Sequence, residues 1–525
     1  MSRADDRPSW DRRDFLRHLS AVTALGASGA LAPERWPATP AAGALPAVKL
    51  PDVQSAATRV EELTLAEAAT LLRQGELSPI DLVEACLARI DAYESRLQAF
   101  NHVDPDALRA AARASDGRRG GLHGIPLAIK DNFYTAGVPT TGNSHIYADF
   151  VPSWDSEVWR RLRERGALLV GKTQMGPLAT SRATTPDGVV TTRNAWTIDD
   201  PDVYPGGSSS GSGTAVAAGL ALGSTGTQTG GSITNPALAQ GLTGLKPTMG
   251  RVSLRGIIPL TYTRDHPGPI VHDAMDAAIM LQAMAGPDAG DPRSLGLPRP
   301  GDYVTAATPV RRDGETRLRR PMRIGVMPDA LDALSKEAEF FATMERLGAT
   351  IVEIPAPADW DVLTSSEFNN TRLPERSEPF LPELRKDVRQ FGIVLSSWIN
   401  GLLLPGAEYV RGQRARLLLL QRLLDDTFQR CDVVIQSAAI PFDITGLPLI
   451  AFPTGFDDQN GASLPRGLLL GAPPCAEEDL LAVVAAWQDV TDWHRRRPDL
   501  DAPSGDAKGQ LERQLDVLEV EADSQ

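Results

Sequence analysis

Between Tyr204 and Gly250 the chain reads YPGGSSSGSGTAVAAGLALGSTGTQTGGSITNPALAQGLTGLKPTMG, and this run constrains the fold more than any other. It sets a Gly/Ser loop, Gly206 to Gly211, ahead of a small-residue helix, Thr214 to Leu220. A strand-like run, Leu222 to Thr227, then leads into a second glycine turn, Gly230-Gly231-Ser232. Helices and strands without bulky side chains can approach each other closely. Glycine turns reach backbone geometry closed to other residues, so successive N–H groups can point at one spot. The chain must therefore build a tight helix–strand–turn corner inside a packed body.

That body has room to form. With 525 residues, 42 % of them hydrophobic, the chain can bury one large core or two ordinary ones. Thr64-Leu65-Ala66-Glu67 has the form of a capping box, so ordered structure is expected to begin near Thr64. Ser78-Pro79 opens a second helix, with Leu82, Ala85, Cys86, Ile90 and Tyr93 at helical spacing. Strand-like runs Ile125–Ile129, Ala167–Val170, Arg323–Val326 and Thr350–Ile354 alternate with helical patterns, which points to an α/β architecture with a large covered sheet. Pro287–Glu315 reads as a long surface connection, and Pro374–Arg414 as a partly helical cap over the site. The expected division is a leader over 1–32, a flexible Ala/Pro-rich linker over 33–58, a catalytic body over 59–500 and an acidic tail over 501–525.

A serine closing a glycine turn is well placed as a nucleophile beside its own oxyanion hole, and it needs a base. None of the seven histidines lies in a recognisable triad motif. A desolvated lysine can serve instead, because burial populates its neutral form near pH 7. Lys130 ends the apolar run Ile125–Ile129 and is a candidate, though taken alone it reads rather as a snorkelling surface lysine. Gly207-Ser208-Ser209-Ser210-Gly211 also fits the G-x-S-x-G nucleophile elbow, but the loop Asp199–Pro205 stands where that elbow needs a hydrophobic strand. No P-loop occurs. His266 and His272 are isolated and read as loop or surface histidines, so neither a metal nor a cofactor is called for.

The Gly/Ser loop, the GGS turn, the downstream Gly244-Leu245-Lys246-Pro247-Thr248, the upstream Ile125–Asn132 and Thr445-Gly446-Leu447-Pro448 together resemble the amidase-signature hydrolases, from about Thr64 to about His494. The resemblance implies a large mixed central sheet covered by helices on both faces. It also implies a Ser-Ser-Lys triad in which Ser232 attacks the carbonyl and forms an acyl-enzyme. Ser208, joined to Gly207 by a cis peptide bond, relays the proton, and Lys130 is the final base. The oxyanion hole would come from the amides of Thr229, Gly230, Gly231 and Ser232, with Ser209 supporting Lys130 by a hydrogen bond. The family usually has Asp and Arg where this chain has Gln228 and Thr234, which reads as a coordinated neutral replacement that leaves no lone buried charge. Asp443 stands for a common Asn and Ser210 for a common Gly. Thr234 and Asn235 are the expected substrate-pocket residues.

These features imply hydrolysis of carbon–nitrogen amide bonds in small molecules. A carbamate or ester hydrolase with the same triad, a catalytically silent binding homologue and the glutamine-hydrolysing component of a transamidation complex are the alternatives. The resemblance also allows a homodimer. A net charge of −14 argues against nucleic acid as a partner. Cys86, Cys431 and Cys475 are too scattered for a disulfide framework. Asp11-Arg12-Arg13-Asp14-Phe15-Leu16, an apolar stretch and small-x-small sites resemble a twin-arginine export signal, so a periplasmic or secreted location is expected. The apolar stretch is too short and too weakly hydrophobic for stable membrane insertion.

Overall fold

Local start signals set the first helices. In the computed structural model, which describes residues 48, 50–55, 57, 59–115, 121–459 and 462–501, helix Leu65–Gln74 opens on the expected capping box. The Thr64 side chain accepts from the Glu67 amide, and Glu67 Oε2 takes the Thr64 N–H at 2.9 Å. Helix Pro79–Leu97 follows, capped by Ser78, with Leu82, Val83, Cys86 and Leu87 turned inward. The expected leader and nearly all of the acidic tail lie outside the described residues. The last part of the expected linker packs instead of standing free. Val48 is buried in the core, and Pro51 O accepts from Arg73 Nη2 at 2.6 Å, so the body begins ahead of Thr64.

The strands are β1 (Phe100–Val103), β2 (Pro126–Lys130), β3 (Leu168–Thr173), β4 (Gly223–Gln228), β5 (Thr243–Lys246), β6 (His266–Val271), β7 (Val310–Arg312), β8 (Glu315–Arg317), β9 (Met322–Val326), β10 (Ala349–Glu353), β11 (Val433–Gln436), β12 (Leu449–Gln459) and β13 (Ala462–Gly471). Eleven of them form one sheet in the order β1-β3-β2-β4-β6-β5-β12-β13-β11-β9-β10, while β7 and β8 pair with each other. The sheet is mixed. β3, β2 and β4 run parallel, as do β11, β9 and β10, and the pairs between these blocks are antiparallel.

Strand alternation divides the apolar side chains between two cores. Leu127 and Ile129 of β2 enter one core with helices Ala274–Met284, Ala338–Leu347 and Glu477–Gln488. Ala128 enters the other, with Val83, Leu87, Ala215–Ala218 and Leu419. The sheet is thus sandwiched between helical layers, as the resemblance implies.

The small-residue helix runs Ser210–Ala217, beginning four positions ahead of the expected Thr214. Its closeness to its neighbours requires glycine. A Cβ at Gly211 would lie 2.3 Å from Ala99 O and 2.7 Å from Gln174 N. This close approach carries the helix to the carboxyl ends of β2 and β4.

Two regions differ from the sequence reading. Pro287–Glu315 is partly interior, because its charges neutralise one another. Arg293 Nε reaches Asp291 Oδ1 at 2.8 Å, Asp288 takes Arg255 Nε at 2.8 Å, and Tyr303 is 1 % exposed. His266 and His272 are buried rather than on the surface, His266 as the first residue of β6. The three cysteines are free thiols. Among the described residues no helix is long and apolar enough to cross a membrane.

Candidate active site

Burial of β2 decides the chemistry of its last residue. All five residues of the strand are buried, so Lys130 is carried to 0 % exposure with its amine inside the protein. Its Nζ lies 2.9 Å from Ser208 Oγ and 2.8 Å from Thr227 Oγ1, with Thr227 O at 3.4 Å. Among the described residues no carboxylate is bonded to it. Burial therefore pulls its pKa down to about 7, and the more distant Asp265 opposes this only in part. The lysine is a core amine, not a snorkelling surface residue.

The Gly207–Ser208 peptide bond is cis, as the resemblance implies. The loop around it is braced from several sides. Ser208 O accepts from Gly176 N at 3.0 Å, Ser210 Oγ donates to Gly206 O at 2.6 Å, and Ala183 N donates to Ser210 Oγ at 3.0 Å. Ser209 corrects an expectation. Its hydroxyl donates to Thr227 O at 3.5 Å rather than to Lys130, so its support passes through Thr227. Asn132 Nδ2 fixes the same threonine, donating to Thr227 Oγ1 at 3.0 Å.

The second glycine turn follows β4. Gly231 has φ +86°, and the turn hands the chain into helix Thr234–Gln240. Ser232 is 6 % exposed, and its hydroxyl bonds to no group among the described residues. Gly230 beside it is exposed. Two buried acids frame the turn. Asp443 Oδ2 takes the Gly231 N–H at 2.8 Å, and its Oδ1 takes Gln228 Nε2 at 2.8 Å. Thr229 donates its hydroxyl to Asp265 Oδ1, while Asp265 Oδ2 takes the amides of Leu260 and Thr261 at 2.8 and 2.9 Å. Burial raises the pKa of both acids, and these hydrogen bonds oppose the rise.

The Asp443 contact corrects the expected oxyanion hole. The Gly231 amide is already used, whereas among the described residues the N–H groups of Thr229, Gly230 and Ser232 have no acceptor. Gln228 and Thr234 form one neutral unit. Gln228 Oε1 accepts from Ile233 N at 2.8 Å, Thr234 N at 2.9 Å and Thr234 Oγ1 at 3.2 Å. Gln228 thereby satisfies amides at the start of a helix with no side-chain cap of its own. Thr234 is 0 % exposed and sealed into the turn, so it is not a pocket residue. Asn235 is exposed, with its side chain across Gly231.

The segment expected as a cap is helical throughout much of its length and packs beside these loops. Phe380, Leu384, Phe391, Val394 and Trp398 cluster with Tyr134, Leu178, Ala179 and Leu260. Sequence reasoning misses Thr227 and Asp265, and it marks Asp443 only as a departure from the family pattern. Nothing local singles them out, since their partners lie 97, 36 and 212 positions away. Among the described residues no group of three or more His, Cys, Asp and Glu is arranged to hold a metal.

A buried amine with a pKa near 7, touching one serine hydroxyl beside a second serine on a turn with open amides, is suited to acyl transfer. Comparison with known proteins agrees. The Amidase family profile matches residues 81–369. A glutamyl-tRNA(Gln) amidotransferase subunit of Chloroflexus aggregans is 35 % identical over 500 residues, covering 84 % of this chain and 99 % of that protein. The native peptide amidase of Stenotrophomonas maltophilia superposes with a TM-score of 0.73 at 28 % identity, over 84 % of this chain and 99 % of its own. The corresponding amidotransferase component from Thermotoga maritima, at 24 % identity and a TM-score of 0.69, covers 85 % of this chain and 99 % of its own and shares the fold. On this sequence match, this sheet and this site, the chain belongs to the amidase family and is an amide-hydrolysing enzyme.

Proposed function

We propose that the enzyme cleaves small-molecule amides through Ser232, Ser208 and Lys130. The observation that carries this reading is the 2.9 Å contact between the buried Lys130 amine, whose pKa burial lowers to about 7, and Ser208 Oγ. Lys130 takes a proton from Ser208 as Ser208 takes one from Ser232, and Ser232 Oγ bonds to the amide carbon. The oxygen that becomes negative is received by the N–H groups of Thr229, Gly230 and Ser232, where each donor typically contributes about 2.7–4 kcal/mol. The carbon–nitrogen bond then breaks, and the proton returns from Lys130 through Ser208 to the leaving amine. Water hydrolyses the acyl-enzyme along the same proton path.

The test is turnover of matched p-nitroanilide, carbamate and ester substrates, followed before steady state. A burst of one product per enzyme, abolished in Ser232→Ala, is expected, with the amide cleaved at the highest kcat/KM. Higher kcat/KM for the carbamate or ester would replace the amide reading with the corresponding hydrolase. No turnover of any class would favour a silent binding homologue.

A second reading is supported by the 35 % identity to a glutamyl-tRNA(Gln) amidotransferase component. On that reading the chain releases ammonia from glutamine within a complex. Full turnover of small amides by the chain alone, with no ammonia release from glutamine when amidotransferase partner subunits are added, would go against it. We further read Arg12-Arg13 and the following apolar stretch as an export signal. An exported mature form, shortened at its N-terminus on intact-mass measurement, is the expected result, and a full-length intracellular form would contradict it.

A further inference from the structure

Four arginines crowd together next to the nucleophile turn without an ion-pair partner among the described residues. Arg264 and Arg416 are each 3 % exposed, and Arg372 and Arg376 are partly buried. Elsewhere three buried arginines pair closely with acids. Arg161 reaches Glu157 at 2.7 Å, Arg255 reaches Asp288 at 2.8 Å, and Arg293 reaches Asp291 at 2.8 Å. That is the usual arrangement, because an unpaired buried charge is costly.

Among the described residues the four arginines bond only to neutral groups. Arg264 Nη1 donates to Asn369 Oδ1 at 2.6 Å, Arg372 Nη1 to Asn369 O, and Arg376 Nη1 to Ser397 Oγ at 2.5 Å. Arg416 donates to Ile444 O at 2.9 Å and Gln413 Oε1 at 3.1 Å, and touches Met249 Sδ. The Nε groups of Arg264 and Arg376 are buried with no acceptor among the described residues. Apart from its Nη1 bond, the fork of Arg372 is uncommitted, and so is that of Arg376.

The nearby carboxylates are hydrogen-bonded to other groups, and Glu375 supports Arg264, Arg372 and Arg416 only through space. Glu375 takes Thr263 N at 2.8 Å, Thr263 Oγ1 at 2.9 Å, Gln413 Nε2 at 2.9 Å and Tyr409 OH at 3.1 Å. Asp443 and Asp265 hold the nucleophile turn. Burial, and then the neighbouring Arg372, draw Arg264 and Arg376 each down to about 9. Arg416 donates to Ile444 O, next to the Asp443 that takes the Gly231 N–H, and Arg264 directly precedes the Asp265 that takes the Thr229 hydroxyl, which places the cluster beside the turn that carries Ser232.

We propose that this cluster, led by Arg372 and Arg376, binds an oxyanion carried by the substrate, a carboxylate or a phosphate. Guanidinium forks match both groups geometrically, and an anion supplies the acceptors that the fold withholds. The amide cleaved at Ser232 then belongs to a molecule with a negative group. This deepens the proposed function and rests on it for the reacting end, whereas the binding of the anion stands independently of the triad.

The test is calorimetric titration of the Ser232→Ala protein, which does not turn substrate over. The probes are the half-anilide of succinic acid, its primary-amide isostere and the matching phosphonopropionyl anilide. An anionic probe is expected to bind roughly 10- to 150-fold more tightly than the neutral isostere, the range set by charge-assisted hydrogen bonds. The tighter of the two anions identifies the oxyanion. The preference is expected to collapse in Ser232→Ala proteins carrying Arg372→Gln or Arg376→Gln and to survive in part with Arg376→Lys. Melting curves establish that each variant is folded, and the anion should raise the melting temperature of the parent more than that of either Gln variant. Neutral and anionic probes binding alike, no binding of an anionic probe, or a preference intact in both Gln variants would overturn the proposal. Failure of the triad alone would leave this binding unchanged while abolishing the acyl-enzyme burst, so the two failures are distinguishable.

Discussion

Lys130 and Lys172 are both fully buried, on neighbouring parallel strands, and the sheet puts them in different company. Lys172 pairs in register with Ile129, so alternation turns it to the opposite face from Lys130. There its Nζ lies 3.2 Å from Asp131 Oδ1, 2.8 Å from Phe133 O and 2.6 Å from Thr140 Oγ1. Among the described residues the Lys130 amine bonds only to Ser208 and Thr227. Burial lowers the pKa of both, but Asp131, bonded directly, pulls that of Lys172 back up. A buried lysine becomes a base when its partners are hydroxyls, and a structural cation when its partner is a carboxylate.

That contrast can be broken by exchanging each amine for a methyl thioether. Lys130→Met is expected to lower kcat/KM by about 10²–10⁴, the usual share of a positioned acid–base group, in steady-state kinetics with an unchanged circular dichroism spectrum. Stability should move the other way. The unfolded chain keeps a proton on Lys130 up to about pH 10.4, and the folded chain only up to about pH 7. Between those values the unfolded state binds more protons, so this residue makes stability rise with pH. Denaturant titrations of Lys130→Met should show that slope removed and the variant more stable than the parent at pH 7.

Lys172→Met is expected to do the reverse. It leaves Asp131 buried without its cation, at a cost of about 3–5 kcal/mol in equilibrium unfolding. Enzyme that remains folded should still show wild-type pH dependence. Finer changes sharpen the comparison. Thr227→Val deletes a hydroxyl that faces Lys130 and should cost about 1 kcal/mol, roughly fivefold in kcat/KM, with a displaced pH midpoint. Thr140→Val, facing Lys172, should cost up to about 1 kcal/mol of stability and leave the pH midpoint in place.

The division between these lysines is half visible in the sequence. Lys130 can be picked out because it ends an apolar run and precedes Asp131-Asn132 in a family motif. Ser208 and Ser232 stand out because glycine turns concentrate chemistry locally. Strand positions, the first two helix caps and the α/β layering follow from periodicity and capping residues. Thr227, Asp265 and the role of Asp443 cannot be read, since each acts across a contact set only by strand order and loop packing. For the same reason Gly231 is expected in the oxyanion hole, because the carboxylate that takes its N–H lies on a distant helix. Arg372 and Arg376 resemble charges on a solvated helix until the loop at Arg264 is packed against them. The interior part of Pro287–Glu315 is misjudged because polar residues satisfied by one another look, in sequence, like surface, and the histidines because an isolated imidazole carries no burial signal.

The most direct test of Lys130 as the base for Ser232 is intact-mass analysis after fluorophosphonate treatment, run from about pH 5.5 to 9 on the parent, Ser232→Ala and Lys130→Met. The account predicts one adduct per chain on the parent, at a rate rising through an apparent pKa near 7 and then level. It predicts no adduct on Ser232→Ala, and slow labelling of Lys130→Met without that midpoint. Labelling that persists in Ser232→Ala, or a midpoint near 7 that survives in Lys130→Met, would contradict it.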